Sequence, residues 1–145
     1  MKALLALLAA TAFGSSIIQT LKSMEDSEKY FGLGLTLVNP QMVERVLHIP
    51  GDLFTGGGIF GEKAARALAE AARNIAGTDL GLGLTGRVGK GKDQDHLIYV
   101  ALAHSQGTES AEHRWPSAMR FIENRMTKMA LSQVRQYLLK NGGIG

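Results

Sequence analysis

Residues 80–92, with the sequence LGLGLTGRVGKGK, carry the clearest chemical pattern in the chain. Leucine alternates with glycine in the first half, which indicates a strand whose leucines share one face. In the second half, glycines allow the backbone to approach a ligand closely, and Arg and Lys side chains bring positive charge. A strand that ends in such a loop is where an α/β protein holds an anion, with phosphate as the expected group. The residues predicted to contact the anion are Thr85, Gly86, Arg87, Gly89, Lys90 and Gly91.

Two familiar nucleotide-binding motifs overlap this stretch, but their required context is missing. Gly81, Gly83 and Gly86 spell GxGxxG, yet the first two lie inside the predicted strand rather than between a strand and a helix. They are better explained as small residues beneath a packed element. Residues 86–92 spell GxxxxGK, yet Asp93 stands where a P-loop needs a hydroxyl for Mg²⁺, and a β-rich segment follows. We therefore predict a loop between two strands that holds an anion, with a glycine-rich hairpin carrying solvated lysines as the alternative.

The other reactive side chains form no catalytic or metal-binding motif. The four histidines, taken with Asp93 and Asp95, lack the compact spacing of metal ligands. His96 and His104 fit surface positions on a hairpin strand. No serine lies in a GxSxG nucleophile elbow, so a Ser-His-Asp triad has no support. We therefore expect neither a metal nor a cofactor.

The length and composition predict one globular domain, residues 1–145, which is large enough to bury a hydrophobic core. The net charge is only +3 and aromatic residues make up only 6% of the chain. Such a composition does not favour nucleic-acid binding. Cysteine is absent, which excludes disulfides, thiolate catalysis and Cys-ligated zinc. The absence of cysteine fits a cytoplasmic protein.

The first sixteen residues, MKALLALLAATAFGSS, have the form of a secretory signal, with a lysine, an apolar run and small residues. The apolar run is too short to span a membrane. Its length also suits a buried strand that leads into a helix, which is the interpretation we favour.

Strands and helices alternate along the rest of the chain. This alternation predicts an α/β fold with helices on both faces of the sheet. The predicted elements are a strand at 3–11, a helix capped by Ser15 or Ser16 and ending near Met24, a strand around 33–37, a short helix at 41–47, a helix at 61–76 ended by Gly77, strands at 80–85 and 97–103, a polar connection at 106–115, and a helix from Ser117 to Lys140.

Several segments, taken in order, resemble the C-terminal domain of the CinA family, which includes nicotinamide-nucleotide amidohydrolases. The resemblance is strongest in GEKAARALAEAARNIAGTDL, LGLTGRVGKGK and DHLIYVALAH. These segments are similar to a family helix of the type EEVAREMAEGARERLGADL, to LAVTGIAGPGG and to GTVYIALA. AATAFGSS is similar to the family's AESCTGG, and GLGLTLVN to its GGVVSYSN. The resemblance covers most of the chain.

This resemblance implies a three-layer α/β/α sandwich with a central mixed sheet, often homodimeric, that hydrolyses the amide of nicotinamide mononucleotide to the acid and ammonia. The family's nucleophile is the serine of AESCTGG, supported by the Tyr and Lys of the Y-S-N-x-x-K segment. This chain has Thr11 at the serine position, Leu37 at the tyrosine, and Met42 or Val43 at the lysine. Asn39 and Gly14 match the family pattern and join the predicted ligand-binding residues.

These departures predict a degenerate member of the family, because a hydroxyl that has lost its base is a weak nucleophile. The expected function is a non-catalytic, cytoplasmic domain that retains a phosphate-bearing nucleotide at the loop. One alternative is an active amidohydrolase that uses Thr11 with a base from elsewhere. Another is a homodimeric structural or interaction domain that associates through its C-terminal helix. Neither nucleic acid nor a membrane is an expected partner.

Overall fold

The structure is a computed structural model that describes residues 5–10, 14–37, 44–45, 47–49, 60–89 and 91–140. Most of the short helix expected at 41–47 lies outside these ranges. The elements, in chain order, are β1 (Leu5–Ala10), α1 (Gly14–Ser23), a 3₁₀ turn (Ser27–Lys29), β2 (Phe31–Thr36), α2 (Glu62–Ala76), β3 (Leu80–Arg87), β4 (His96–His104), β5 (Gly107–Trp115) and α3 (Ile122–Lys140).

The described strands form one mixed sheet in the order β2-β1-β3-β4-β5. β1 lies at its centre, in parallel with both β2 and β3, while β4 and β5 follow as antiparallel strands. The prediction of a buried strand near the N-terminus is therefore confirmed. The carboxyl ends of β1, β2 and β3 share one edge of the sheet with the start of β4 and the end of β5. We call this the carboxyl edge, marked by Ala10, Thr36, Arg87, His96 and Trp115.

One face of the sheet is covered by α1 and α3 through large apolar side chains. Leu80, Leu82 and Leu84 all lie on this face, as their alternation predicted. They pack with Ile17 and Leu21 of α1 and with a buried stripe of α3: Ile122, Met126, Ala130 and Val134. This cluster is the larger part of the core.

The opposite face is covered by α2. Over β1 the contact includes the large side chains Leu8 and Leu68, whereas over β3 and β4 it is built from small residues. A Cβ atom added at Gly81 would overlap the carbonyl oxygen of Ala69, and one added at Gly83 would overlap that of Ala65. Alanines continue this seam onto β4. The prediction that the two strand glycines lie beneath a packed element is confirmed, and the sandwich has helices on both faces.

Helix termini were predicted less accurately than the helices themselves. Gly77 ends α2 in the left-handed conformation, with φ of 65°, as expected of a C-cap glycine. Ser15 and Ser16 lie inside α1 and so do not cap it. Ser117 does not cap α3 either, because that helix begins at Ile122 and the Ser117 hydroxyl donates to the Lys92 carbonyl, 2.8 Å away.

The prediction of a polar connection at 106–115 was wrong, because Gly107–Trp115 is a nine-residue strand at the edge of the sheet. Its α2-facing side is held by polar contacts. Arg66 donates to the Ser110 hydroxyl and to the Thr108 carbonyl at 2.9 and 2.8 Å, and Glu62 and Glu70 accept bonds from the same two residues. Hydrogen bonding to a helix therefore replaces the apolar alternation that marks most strands.

Within the described ranges, no helix has both the length and the apolar character needed to cross a membrane.

Candidate functional site

The carboxyl edge is where the fold can place a ligand. The chain passes from β1 to α1 on one face and from β2 to α2 on the other face. In open α/β sheets, ligands bind in the crevice left where such connections diverge beyond the carboxyl ends of the strands. The described residues of the glycine loop, 88–89 and 91–95, lie at this edge between β3 and β4.

The glycine loop closes a hairpin between antiparallel strands. β3 pairs with β4 from Gly81↔Ala103 to Arg87↔Leu97, so no helix follows the glycines and the two nucleotide motifs lack their context, as predicted. Gly89 packs so tightly on the far side of the loop that a Cβ there would overlap the Gln94 carbonyl. Gly91 has a φ of 76°, where glycine is favoured.

Thr85 has its hydroxyl engaged within the protein. Its side chain is fully buried, and its Oγ1 lies 3.2 Å from both the amide nitrogen and the carbonyl oxygen of Gly61. Gly61 is the N-cap of α2, so both bonds are made to the residue that precedes the first turn of the helix. Thr85 therefore fastens the start of α2 to the end of β3.

Arg87, at the end of β3, brings a cation to the mouth of the loop. Its Nε donates to the Asp95 carbonyl at 3.4 Å, and its guanidinium carbon lies 5.6 Å from the centre of the Phe60 ring. Phe60 in turn makes an edge-to-face contact with Tyr99, at 5.5 Å between ring centres. Stacking on Phe60 and the bond to the loop together hold the positive charge at the carboxyl edge.

His96 was expected at the surface, but it is 4% exposed and both ring nitrogens have partners. Nδ1 accepts a bond from the Gly89 amide at 2.9 Å, and Nε2 lies 3.2 Å from the Ser117 carbonyl oxygen. The ring thus ties the glycine loop to the segment after β5. His104, at the other end of β4, was also expected at the surface, and its side chain is 9% exposed.

The N-terminus of α1 lies at the same edge, beside the ends of β1 and β2. A Cβ at Gly14 would come within 2.8 Å of the Ala9 Cβ and 3.1 Å of the Thr36 hydroxyl, so close packing requires glycine there. No acidic residue lies in the first turn of α1. Hydroxyl and amide side chains line a shallow groove of about 490 Å³ along this helix: Ser15, Ser16, Gln19, Thr20 and Ser23.

Thr11, Asn39 and Lys90 lie outside the described residues. The residue before Thr11, Ala10, pairs with Thr85, so the strand that leads to Thr11 lies directly beside the strand that leads to the loop. Leu37, at the position of the family's tyrosine, packs on the apolar cluster beneath α2. Of the other predicted ligand residues, Gly86 and Arg87 end β3, and Gly91 is exposed.

Acidic and histidine side chains near the site are dispersed. Across the described ranges, no three His, Asp or Glu side chains come together in a way that could hold a metal ion. Asp95 lies 3.9 Å from Arg114, which also contacts Glu112 at 3.0 Å. On β5, partial burial lowers the pKa of His113, because desolvation disfavours the imidazolium form.

Sequence reasoning missed three residues that shape the site: Phe60, His96 and Ser117. Each acts through a partner distant in the chain, as His96 does with Ser117, 21 residues away. Spacing and residue type along the chain do not indicate these contacts.

Comparison with known proteins agrees with the geometry. The family model of the CinA C-terminal domain matches residues 5–138. A CinA-like protein of Geobacter sulfurreducens is 31% identical over 142 residues, which cover 95% of this chain and 34% of the relative. A CinA-like protein of Koribacter versatilis is 30% identical over 135 residues, covering 90% of this chain and 33% of the relative. The chain thus spans about a third of the length of these curated relatives.

Solved structures show the same fold at low sequence identity. A CinA superfamily protein from Escherichia coli superposes with a TM-score of 0.81 at 20% identity, covering 94% of this chain and 81% of the other. One from Enterobacter cloacae gives a TM-score of 0.81 at 17% identity, covering 94% and 82%. Fold, order of elements and family match agree, and the chain belongs to the CinA C-terminal domain family.

Proposed function

We propose that this chain is a CinA-type domain that binds a phosphate-bearing nucleotide at its carboxyl edge without hydrolysing it. The loss of the family's amidase groups supports the absence of hydrolysis. The observation that carries the proposal is the position of Leu37. Its amide donates to the Ala9 carbonyl at 2.7 Å, and its side chain packs against the apolar cluster that contains Leu8. By the resemblance, the aliphatic side chain of Leu37 thus stands in place of the family's tyrosine.

The other positions of the family's catalytic group also favour this proposal. Thr11 stands at the nucleophile, and Met42 or Val43 at the lysine. A hydroxyl attacks an amide only when a neighbouring base removes its proton, and neither methionine nor valine can do so. Loss of such a base lowers the rate of hydrolysis by orders of magnitude.

Positive charge at the carboxyl edge supports retention of an anionic ligand. The Arg87 guanidinium is held there by Phe60 and by the Asp95 carbonyl. The N-terminus of α1 adds the positive end of a helix dipole that no acidic side chain in its first turn offsets. Exposed Ser15 and Ser16 hydroxyls lie beside it as hydrogen-bond donors.

Two measurements on the same protein test the proposal. Calorimetric titration with nicotinamide mononucleotide should show binding, and an ammonia assay should show no release while an intact family amidase releases ammonia in parallel. Ammonia release that disappears in Thr11→Ala would instead establish an active amidohydrolase. Absence of heat with this and related nucleotides would reject the ligand and leave a structural or interaction domain.

Arg87→Gln should weaken nucleotide binding by about tenfold, as expected when a charge-assisted contact to phosphate is lost. Arg73→Gln is the matched control. The Arg73 Nε also donates to a backbone carbonyl, that of Asp79, at 3.0 Å, but at the opposite end of α2. Equal losses of affinity in both variants would mean that general charge, and not the carboxyl edge, attracts the ligand.

Association with a second copy is an independent proposal, favoured by apolar side chains near both ends of α3. Phe121 is 77% exposed and Leu139 is 61% exposed. Sedimentation velocity on the protein and on Phe121→Ser tests it, because a monomer at all concentrations would exclude the homodimer.

A further inference from the structure

His96 is a buried histidine whose two partners both come from the backbone. The Gly89 amide can only donate, and the Ser117 carbonyl can only accept. Both bonds therefore form together only in the neutral tautomer that carries its proton on Nε2 and leaves Nδ1 as the acceptor. The Ser117 hydroxyl extends the chain of bonds by donating to the Lys92 carbonyl in the same loop.

Protonation of His96 would break one of these bonds and keep the other. The imidazolium form has an N–H at both positions, so Nε2 still donates to Ser117. Nδ1–H would instead face the Gly89 N–H, and two donors repel. The Gly89 amide would then have to move away from the imidazole ring. That movement would also loosen the tight contact between Gly89 and Gln94.

The charged groups near His96 divide between the two faces of the sheet. His113 and Trp115 of β5 share the face of His96 and Ile98, whereas Arg87, Arg114 and Glu112 pair with Leu97 and Tyr99 on the opposite face. Lys92 and Asp95 belong to the loop, with the Asp95 carboxylate 3.9 Å from Arg114, and exposed Arg120 belongs to the segment after β5. Protonation of His96 would therefore place a new positive charge next to the Gly89 amide, on the face opposite Arg87 and Arg114.

We propose that His96 is a positioning residue that fastens the glycine loop in its neutral form, and that its protonation frees the Gly89 amide to bind an anion. Anion binding at the loop is then linked to proton uptake, and linkage is reciprocal. The coupling to anions rests on the proposed nucleotide site, whereas the fastening of the loop does not.

The fastening is tested by NMR without any ligand. While His96 is neutral, its ¹⁵N spectrum should show the Nε2–H tautomer, and the Gly89 amide should be protected from hydrogen exchange. As the pH is lowered, the protection factor of Gly89 should fall when the same spectra show that His96 has become protonated, while circular dichroism shows that the fold persists. Loss of the fold before His96 is protonated would overturn the proposal. Protection of Gly89 that survives protonation of His96 would overturn the proposal.

Variants separate His96 from other titrating groups. In His96→Asn the side-chain oxygen can still accept from Gly89 but takes up no proton, so the protection of Gly89 should not change with pH. His113→Asn is the matched control, because His113 lies near Trp115 on β5, with 6.1 Å between their ring centres, whereas the Gly89 amide donates to His96. A pH response lost in His113→Asn and kept in His96→Asn would overturn the assignment.

Sulfate is the anion probe, because its own charge does not change over the pH values at which the protein is folded. Its affinity for the unaltered protein should rise at least about fivefold when His96 becomes protonated, and that rise should vanish in His96→Asn. A pH-independent affinity in the unaltered protein would overturn the linkage. If sulfate and nucleotide fail to bind at any pH while Gly89 is still released, the proposed nucleotide site is refuted and the fastening role of His96 remains.

Discussion

The two faces of the sheet are packed in opposite ways. Where α2 crosses β3, the backbone of the helix lies directly on Gly81 and Gly83, and alanines continue the contact onto β4, while leucines pack over β1. Beneath α1 and α3, leucine, isoleucine and methionine side chains separate helix from sheet. Both faces are fully buried at their centres, so burial alone does not distinguish them.

This difference shows how each face fixes position. Because backbone lies directly on backbone, no side chain between α2 and β3 can change its rotamer. The distance of α2 from β3 and its register along the strand are therefore fixed. Thr85 fixes the end of the same helix at the carboxyl edge through Gly61. Large side chains on the other face contribute more hydrophobic free energy but can rearrange when one of them changes.

The largest expected effect comes from adding one carbon atom to the α2 face. Gly83→Ala should destabilise the protein by about 3 kcal/mol or more, because the group in the way is the Ala65 carbonyl and not a movable side chain. Gly32→Ala on β2 is the matched control, with its nearest atom at 3.7 Å, and should change stability by less than about 0.5 kcal/mol. Urea unfolding of both variants measures the difference, and equal values would remove the distinction between the faces.

On the α3 face, a substitution that removes side-chain atoms should destabilise the protein more than one that keeps the side-chain volume. Met126 is fully buried, and Met126→Ala should lower the free energy of unfolding by about 2 kcal/mol through the cavity it leaves. Met126→Leu keeps the volume and should cost less than about 1 kcal/mol. If leucine proves as costly as alanine in thermal or urea unfolding, this face is as rigid as the other.

The bond between Thr85 and Gly61 should have an intermediate effect. Thr85→Val keeps the shape of the side chain but leaves the amide and the carbonyl of Gly61, the N-cap of α2, without their side-chain partner, at an expected cost of about 1–2 kcal/mol. Thr85→Ser keeps the hydroxyl and should recover most of that stability. A serine variant no better than valine would show that the methyl group, and not the bond, matters here.

The smallest effect concerns pH. Burial lowers the pKa of His113 in the folded protein, so the unfolded chain binds more protons between that pKa and about 6.5. Stability should therefore decrease as pH falls through about 6.5 and stop decreasing below the folded pKa. His113→Gln should remove this contribution, which is read from urea unfolding at about pH 8 and pH 5.5. An unchanged pH dependence in the variant would contradict the assignment.

Periodic apolar patterns made much of this fold predictable. The leucines of β3, the C-cap Gly77 and the buried stripe of α3 all follow from spacing and residue type. β5 escaped prediction because it has no apolar face. Thr108 and Ser110 bond to side chains of α2 that lie at least 38 residues away, and no local pattern records such pairing.

The candidate site was predictable in place but not in detail. The loop lies at the carboxyl edge as expected, yet two of its predicted anion donors already have partners within the protein. Thr85 bonds to Gly61, 24 residues away, and Gly89 bonds to His96. The first partnership is a tertiary contact, and the second lies within the hairpin, between residues seven apart. His96 was assigned to the surface because a single histidine in a strand carries no indication of its burial.

The seam of glycine and alanine beneath α2 also determines which parts of the molecule can move. Sliding of one packed layer over another requires side chains that can change their contacts, and the seam has none. Under load or on ligand entry, β3, β4 and α2 should displace as one block, whereas α1 and α3 can shear across their leucine and methionine contacts. Adaptation to a ligand at the carboxyl edge would then come from α1 and the glycine loop, moving against a stationary α2.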